Sequence, residues 1–167
     1  MSAGDWQLAQ VNVAILRAPI DSPQLAGFVA LLEPINALAD RSPGFVWRLQ
    51  TEDGDATAIR AFEDDRIIVN MSVWESLEAL GDFTYASGHL GVLRRRRDWF
   101  DKMGEAHLAL WWVPAGTTPT VAEAGSRLAR LRERGPSPEA FMFREPFPAP
   151  DSSEPVDADD RWACPTG

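Results

Sequence analysis

Alternating and continuous runs of apolar residues predict five β-strands in this chain. The predicted strands are Trp6–Ile15, Phe45–Leu49, Arg66–Trp74, His107–Val113 and Ala140–Arg144. In the first strand the odd-numbered positions are apolar, and Asn12 lies on the more polar face. In the third strand, Asn70, Ser72 and Trp74 share a face that mixes polar and apolar groups.

In two other strands, the pattern also predicts which residues share a face. The alternation in the second strand places Phe45, Trp47 and Leu49 on one face. The fourth strand, His107–Val113, is apolar on both faces. We therefore expect helices to cover one side of the sheet and another element to cover the other side.

Apolar residues at spacings of three and four predict helices between the strands. The first helix begins at Ser22-Pro23, with serine as the N-cap, and contains Pro34, which is expected to kink it. Its predicted apolar face consists of Leu25, Phe28, Val29, Leu32, Ile35 and Ala39. Further helices are predicted at Glu75–Tyr85, Gly88–Met103 and Val121–Arg134. The order of elements predicts an α+β fold with a ferredoxin-like antiparallel sheet, helices on one face, and a C-terminal helix and strand.

The net charge of −9 comes from two segments and not from the predicted folded body. Glu52–Asp65 contains six acidic residues and one arginine, and Asp151–Gly167 contains five acidic residues and one arginine. The rest of the chain has 14 acidic and 14 basic residues, without the basic face expected of a nucleic-acid-binding protein. We therefore expect a domain over residues 1–146, an acidic proline-rich tail over residues 147–167, and no nucleic-acid partner.

The sequence has no apolar run long enough to span a membrane and no secretory signal pattern. Its single cysteine, Cys164, excludes an internal disulfide. These features predict a cytoplasmic protein without a membrane partner.

Three segments resemble a known group of proteins. They are Pro43-Gly44-Phe45, the stretch SVWESLEALGDFTYASGH (Ser72 to His89), and LWWVPAG (Leu110 to Gly116). Together with the pattern H-x-x-x-L-R-R-R-x-x-W-F that begins at His89, they resemble an uncharacterised bacterial domain family. That family belongs to the antibiotic-biosynthesis-monooxygenase-like group of the dimeric α/β-barrel superfamily. The resemblance covers Trp6 to Phe143.

The resemblance implies a homodimer in which two sheets pack face to face into a barrel. This agrees with the doubly apolar strand, because a monomer with helices on one side would leave an apolar face in water. In the superfamily, an asparagine on the first strand and a histidine on a helix flank the ligand cavity. The residues at these positions are Asn12 and His89. Haem-degrading members have a tryptophan where this chain has Phe83. They also have a longer spacing between the Val-Trp end of the strand and the histidine.

The four consecutive arginines are not equivalent on a helix. Arg94 and Arg97 each precede an aspartate by four residues, which is typical of a self-paired surface. Arg96 lies on the same side as Trp99 and Phe100. We hypothesise that Arg96 lines a pocket and offers its guanidinium to an anionic or carbonyl group. The alternatives are a carboxylate partner across a dimer interface, or a side chain that snorkels to water.

His89 is a candidate general base, hydrogen-bond donor or metal ligand, because the pKa of histidine is close to neutral. The alternative is a structural histidine at the start of a helix. Tyr85, one turn earlier, is either a second donor to the ligand or a core tyrosine. The candidate catalytic residues are therefore His89, Arg96, Asn12 and Tyr85. The candidate substrate-binding residues are Trp47, Asn70, Trp74, Phe83 and Trp99.

The resemblance implies a monooxygenase-like enzyme, and with these residues lining its pocket we expect it to act without a cofactor on a small hydrophobic, aromatic or polyketide-like molecule. No zinc-ligand spacing is present, and no metal is expected unless the protein binds haem. One alternative is a haem-binding protein with His89 as the axial ligand. Another is a non-catalytic dimeric ligand-binding module.

Overall fold

The computed structural model describes residues 5–49, 66–86, 96–101, 106–150 and 152, with only the backbone described at positions 85, 86, 96 and 97. The strands are β1 (Trp6–Leu16), β2 (Phe45–Arg48), β3 (Ile67–Trp74), β4 (Phe100–Asp101) and β5 (Leu108–Pro114). The helices are α1 (Ala26–Arg41), α2 (Leu77–Ala86), the short α3 (Arg96–Trp99) and α4 (Val121–Arg134). The expected α+β class is confirmed.

The sheet is antiparallel and open, and β1 lies at its centre. One edge of β1 pairs with β3 from Leu8 to Ile15, and β2 pairs with the far edge of β3. The other edge of β1 pairs with β5 over its first half and with β4 at Ile15 and Leu16. Both hydrogen-bonding edges of β1 are therefore occupied along nearly its whole length.

Side chains at even positions of β1 face α1 and α2, and we call this side of the sheet the even face. Near the start of β1, Leu8 and Trp74 pack with Leu77 and Leu80 of α2. Near its end, Leu16 packs in a separate cluster with residues that include Phe28 of α1 and Trp99. The even face thus has two apolar clusters, one at each end of β1.

Side chains at odd positions of β1 face the opposite side, the odd face, which α4 covers. Ala124, Leu128 and Leu131 of α4 join one continuous core with the sheet residues Val11 and Trp111. Thr120 caps the helix by accepting a hydrogen bond from the Glu123 backbone N–H at 3.0 Å. Helices α1 and α2 therefore lie on one face, and the predicted C-terminal helix is the element that covers the other face.

The packing of α4 changes the argument for a dimer. The odd face is buried within one chain, so covering it does not require a second copy. The large hydrophobic side chains exposed among the described residues are Val29 and Val46, at 42% and 38% exposure. The exposure of Val29 contradicts its expected place on the inner face of α1. The homodimer and its barrel stay predictions.

A β-bulge changes the expected faces of β2. Phe45 is paired with Trp74, and Trp47 is paired with the preceding residue of β3, Val73, because the strands are antiparallel. One residue is accommodated between the two pairs, so Phe45 and Trp47 point to opposite faces. Phe45 packs on the even face and Trp47 packs against the odd-face core, which corrects the prediction of a shared face.

The predicted helix Gly88–Met103 ends early in its described part. Helical geometry stops at Trp99, and Phe100 and Asp101 pair as a short strand with Leu16 and Ile15. Asp101 lies 3.6 Å from the Arg17 guanidinium, as part of a strand and not of a helix. The prediction that Asp101 lies on the same helix as Arg97 is therefore wrong, and the Arg97 side chain lies outside the described residues.

The predicted last strand Ala140–Arg144 is reduced to single bridges. Phe141 exchanges two backbone hydrogen bonds with Leu110, at 2.8 and 2.9 Å, and the chain then turns. Beyond it, the Phe147 carbonyl accepts a hydrogen bond from Trp112 Nε1 at 2.9 Å. The Phe147 ring lies 5.7 Å from the Phe141 ring and so anchors this segment on the even face.

Among the described residues, no helix has the length and apolar character needed to cross a bilayer.

Gly44 is the position where the turn before β2 most depends on glycine. Its φ of +83° lies in the left-handed region, and a Cβ there would stand 2.5 Å from the Ala79 Cβ of α2. We expect Gly44→Ala to lower the free energy of unfolding by about 2–4 kcal/mol, through backbone strain and overpacking together.

Gly125→Ala provides the matched control for this measurement. Gly125 lies inside α4, and no atom stands within 4 Å of an added Cβ. Alanine there should stabilise the protein by about 0.5–1 kcal/mol. Urea unfolding followed by tryptophan fluorescence measures both changes, and equal effects of the two substitutions would contradict the packing argument.

Candidate functional site

Four polar side chains interrupt the even face between its two apolar clusters. Gln10 is paired with Ser72, and Asn12 with Asn70, in the register of β1 with β3. We call these four residues the polar row. Leu110 and Leu108 of β5 pair with Gln10 and Asn12 on the other side and bound the row with apolar groups.

Hydrogen bonds connect three members of the polar row to Trp74. Trp74 Nε1 donates to Ser72 Oγ at 2.8 Å. Gln10 Nε2 donates to the same oxygen at 2.8 Å and to Asn70 Oδ1 at 2.7 Å. Gln10 and Ser72 are buried, at 5% and 7% exposure, so these bonds compensate for their removal from water.

Asn12 and Asn70 are the accessible members of the row. Asn70 is exposed and Asn12 is half-buried, although both lie on the face that α1 and α2 cover elsewhere. In the described part of the chain, no hydrogen bond joins the side-chain amide of Asn12 to another residue. Solvent therefore reaches two adjacent side-chain amides between the two apolar clusters of the even face.

Aromatic rings flank the polar row on the side of α2. Trp74 is fully buried, and the Phe83 ring stacks on it with 5.1 Å between ring centroids. Phe45 meets the same indole edge-on at 5.5 Å. Two predicted substrate-binding residues, Trp74 and Phe83, therefore lie together and next to Ser72.

The opposite end of the even face holds a second aromatic group. Trp99 is 2% exposed, and its ring lies 5.6 Å from Phe28 of α1. Phe100 contacts the same phenylalanine edge-on at 4.9 Å. Trp99 is thus a core residue of the α1 cluster, on the same face as the polar row but beyond it.

A charged pair closes the row on the side of β2. Arg48 is paired with Ser72 in the sheet register. Its guanidinium donates to both carboxylate oxygens of Asp40 in α1, at 2.8 and 3.3 Å. The arginine side chain is only 13% exposed, so this bidentate pair ties the end of α1 to the sheet.

The structure brings together part of the predicted site. Asn12, Asn70, Trp74 and Phe83 lie on one face, whereas the bulge directs Trp47 into the core on the other face. His89 lies outside the described residues, as do the side chains of Tyr85 and Arg96.

Gln10, Ser72 and Arg48 were not predicted as site residues. The alternation already placed Gln10 on the face of Asn12, and Ser72 on the face of Asn70 and Trp74. The missing information was the register, which pairs Gln10 with Ser72.

The polar row suits binding and orientation better than proton transfer. Amides and a hydroxyl donate and accept hydrogen bonds, and none of these side chains titrates near neutral pH. No group of three or more histidine, cysteine, aspartate or glutamate residues with the arrangement of a metal site occurs within residues 5–49, 66–86, 96–101 and 106–150. A proton acceptor for chemistry at the row would have to come from elsewhere in the chain.

A surface depression of about 380 Å³ lies on the outer side of α4 and has a different character. It is lined by Glu123, Ser126, Arg127, Arg130 and Glu139. Its charges largely satisfy each other, because Arg127 pairs with Glu123 and Arg130 pairs with Glu139. This depression is an exposed ion-pair network, without the apolar lining usual for a small-molecule site.

Comparison with known proteins gives one family and one distant structural likeness. The profile of a family described as a domain of unknown function (DUF3291) matches residues 7–158. No curated protein matches the chain significantly. The NE2512 protein of unknown function from Nitrosomonas europaea is 10% identical and covers 70% of this chain and 96% of its own, with a TM-score of 0.42.

Ser72 is expected to be the most sensitive member of the polar row for stability. Ser72→Ala leaves the buried Trp74 N–H without its acceptor and removes one acceptor of Gln10. We expect the free energy of unfolding to fall by about 1–3 kcal/mol.

Ser126→Ala, on the exposed side of α4, is the control and should change stability by less than about 0.5 kcal/mol. Chemical denaturation measures both variants. A Ser72→Ala protein as stable as the wild type would show that the Trp74 N–H does not depend on this hydroxyl.

Proposed function

This chain belongs to the DUF3291 family, whose function is unknown, and we propose that it binds a small hydrophobic, aromatic or polyketide-like molecule on the even face of its sheet. The observation that carries this proposal is the accessible amide pair Asn12 and Asn70, which lies between two apolar clusters of the same sheet face. Ligand sites typically combine apolar walls with a few placed polar groups.

The aromatic groups at either end of the row support a flat, apolar ligand. The indole of Trp74 with Phe83 lies toward α2, and Phe28 with Trp99 lies toward α1. Trp74, Phe28 and Trp99 are themselves buried, so a flat ligand over the row would meet the half-buried Phe83 toward α2 and turn its polar substituent toward the amides. Desolvation of the ligand's own rings would supply affinity, and the amides would supply orientation.

The proposed chemistry is monooxygenase-like and needs a base in addition to the row. His89 is the residue that the sequence offers for this role. It would take a proton from a ring CH₂ or phenol, and an amide N–H at the row would stabilise the resulting oxyanion. Dioxygen would then convert the CH₂ to a carbonyl, with one oxygen atom entering the product and the other leaving as water.

Binding of anthrone and related polycyclic phenols, followed by quenching of tryptophan fluorescence, tests the proposed site. Asn12→Leu keeps the volume of the side chain and removes its hydrogen-bonding groups. We expect this variant to bind about three- to tenfold more weakly, which is the loss of one net hydrogen bond. Gln24→Leu, at an exposed position before α1, is the control and should bind like the wild type.

Oxygen consumption with anthrone separates the proposed enzyme from its alternatives. His89→Ala should abolish turnover while affinity stays within about twofold, because the base does not supply the binding energy. Binding without any turnover in the wild type would favour a non-catalytic ligand-binding module. An absorbance band at roughly 400 nm that disappears in His89→Ala would indicate haem. Absence of both binding and turnover would contradict the proposal.

A further inference from the structure

One end of the hydrogen-bond chain in the polar row has a fixed direction. The indole Nε1–H of Trp74 is a donor and never an acceptor. It is fully buried, and Ser72 Oγ at 2.8 Å accepts from it. Ser72 therefore uses one of its two acceptor positions for Trp74.

Gln10 occupies the second acceptor position of Ser72 and extends the chain to the accessible end of the row. Its Nε2 donates one hydrogen to Ser72 Oγ and the other to Asn70 Oδ1, so both amide hydrogens are used. The Asn70 carbonyl oxygen faces Gln10 at 2.7 Å. The Asn70 Nδ2 group lies on the other branch of the same planar amide, and no described residue accepts a hydrogen bond from it.

We propose that the Trp74–Ser72–Gln10 relay orients Asn70 as a hydrogen-bond donor, so that the site takes ligands with an acceptor oxygen at this point. Ketones, quinones and enolates or phenolates have such an oxygen, whereas a ligand that offers only an N–H does not. The inference rests on the proposed function and specifies the polarity of the ligand group. Asn12 is paired with Asn70 in the register and supplies a second side-chain amide, which can turn its N–H toward the same ligand oxygen.

Three tricyclic probes with one ring skeleton test this polarity. Fluorene has a CH₂ at the bridging position, fluorenone has a carbonyl, and carbazole has an N–H. We expect fluorenone to bind about three- to tenfold more tightly than fluorene, and carbazole to bind no more tightly than fluorene. Fluorescence titration at constant ionic strength measures all three dissociation constants.

Asn70→Asp tests the role of the donor with little change of shape. The carboxylate still accepts from Gln10 but presents an acceptor oxygen where the wild type has Nδ2. The preference should reverse, with carbazole binding more tightly than fluorenone. Gln24→Glu makes the same chemical change at an exposed position and should leave the order of affinities unchanged.

Gln10→Glu tests the relay without altering the residue that meets the ligand. A carboxylate at this position has no N–H, so Asn70 is expected to turn its Nδ2 inward and expose its oxygen. Carbazole should again bind more tightly than fluorenone. A general loss of stability would weaken the binding of both probes and would not reverse their order. Thermal unfolding of this variant and of Asn70→Asp checks that each is folded.

Hydrogen exchange of the side-chain amides reports the orientation without any ligand. In the wild type, we expect slow exchange at Gln10 Nε2 and fast exchange at Asn70 Nδ2, measured by nitrogen-15 NMR. The reverse order would overturn the inference, because Gln10 would then accept from Asn70 and Ser72. A preference for carbazole, or equal binding of all three probes, would also overturn it while leaving the proposed binding function in place. Failure of every probe to bind would reject the binding function and with it the ligand assignment.

Discussion

The register between β1 and β3 sets the positions of both the core side chains and the polar row. Each residue of β1 from Leu8 to Ile15 has a fixed partner on β3. A slip of one residue would move every side chain of a strand to the other face, sending Val11 and Val13 out of the core on which α4 packs. The same register sets Gln10 against Ser72 and Asn12 against Asn70. The core and the candidate site are therefore specified by one set of backbone hydrogen bonds.

The polar row is costly unless its members bond to one another. Burying an unpaired amide or indole N–H costs about 1–3 kcal/mol, and an apolar residue at the same place would avoid this cost. The structure satisfies the buried members through Trp74, Ser72 and Gln10, and leaves the cross-strand neighbours Asn12 and Asn70 accessible. The network ends at the exposed Asn70, two residues from the last β2–β3 pair, Arg48 with Ser72.

The strand and helix pattern was predictable because alternation and helical spacing are local properties of the chain. Strands β1, β3 and β5 and helix α4 follow from them, and so does the shared face of Asn70, Ser72 and Trp74.

The β2 bulge was not predictable, because it depends on how the partner strand accommodates Phe45 and Trp47. Nor did helical spacing after Arg96 reveal the strand at Phe100 and Asp101, since an open edge of β1 draws these residues into the sheet. Gln10 was missed because its importance arises from its partner and not from its own position.

The geometry of the even face also limits where the proposed ligand could place its polar group. The two polar pairs lie between the Leu8–Trp74 pair and the Ala14–Ile68 pair. Those flanking pairs are six residues apart along β1, or about 20 Å at the usual rise of a strand. The polar pairs occupy the centre of this span, and the two buried apolar clusters lie toward its ends. Gln10 and Ser72 are buried and hydrogen-bonded, so Asn12 and Asn70 are the amides that the proposed ligand would meet. A ligand with apolar rings on both sides of a central oxygen would place that oxygen at these two amides and its rings over the apolar groups beside them. This arrangement favours a carbonyl or oxyanion within a fused ring system over a terminal carboxylate.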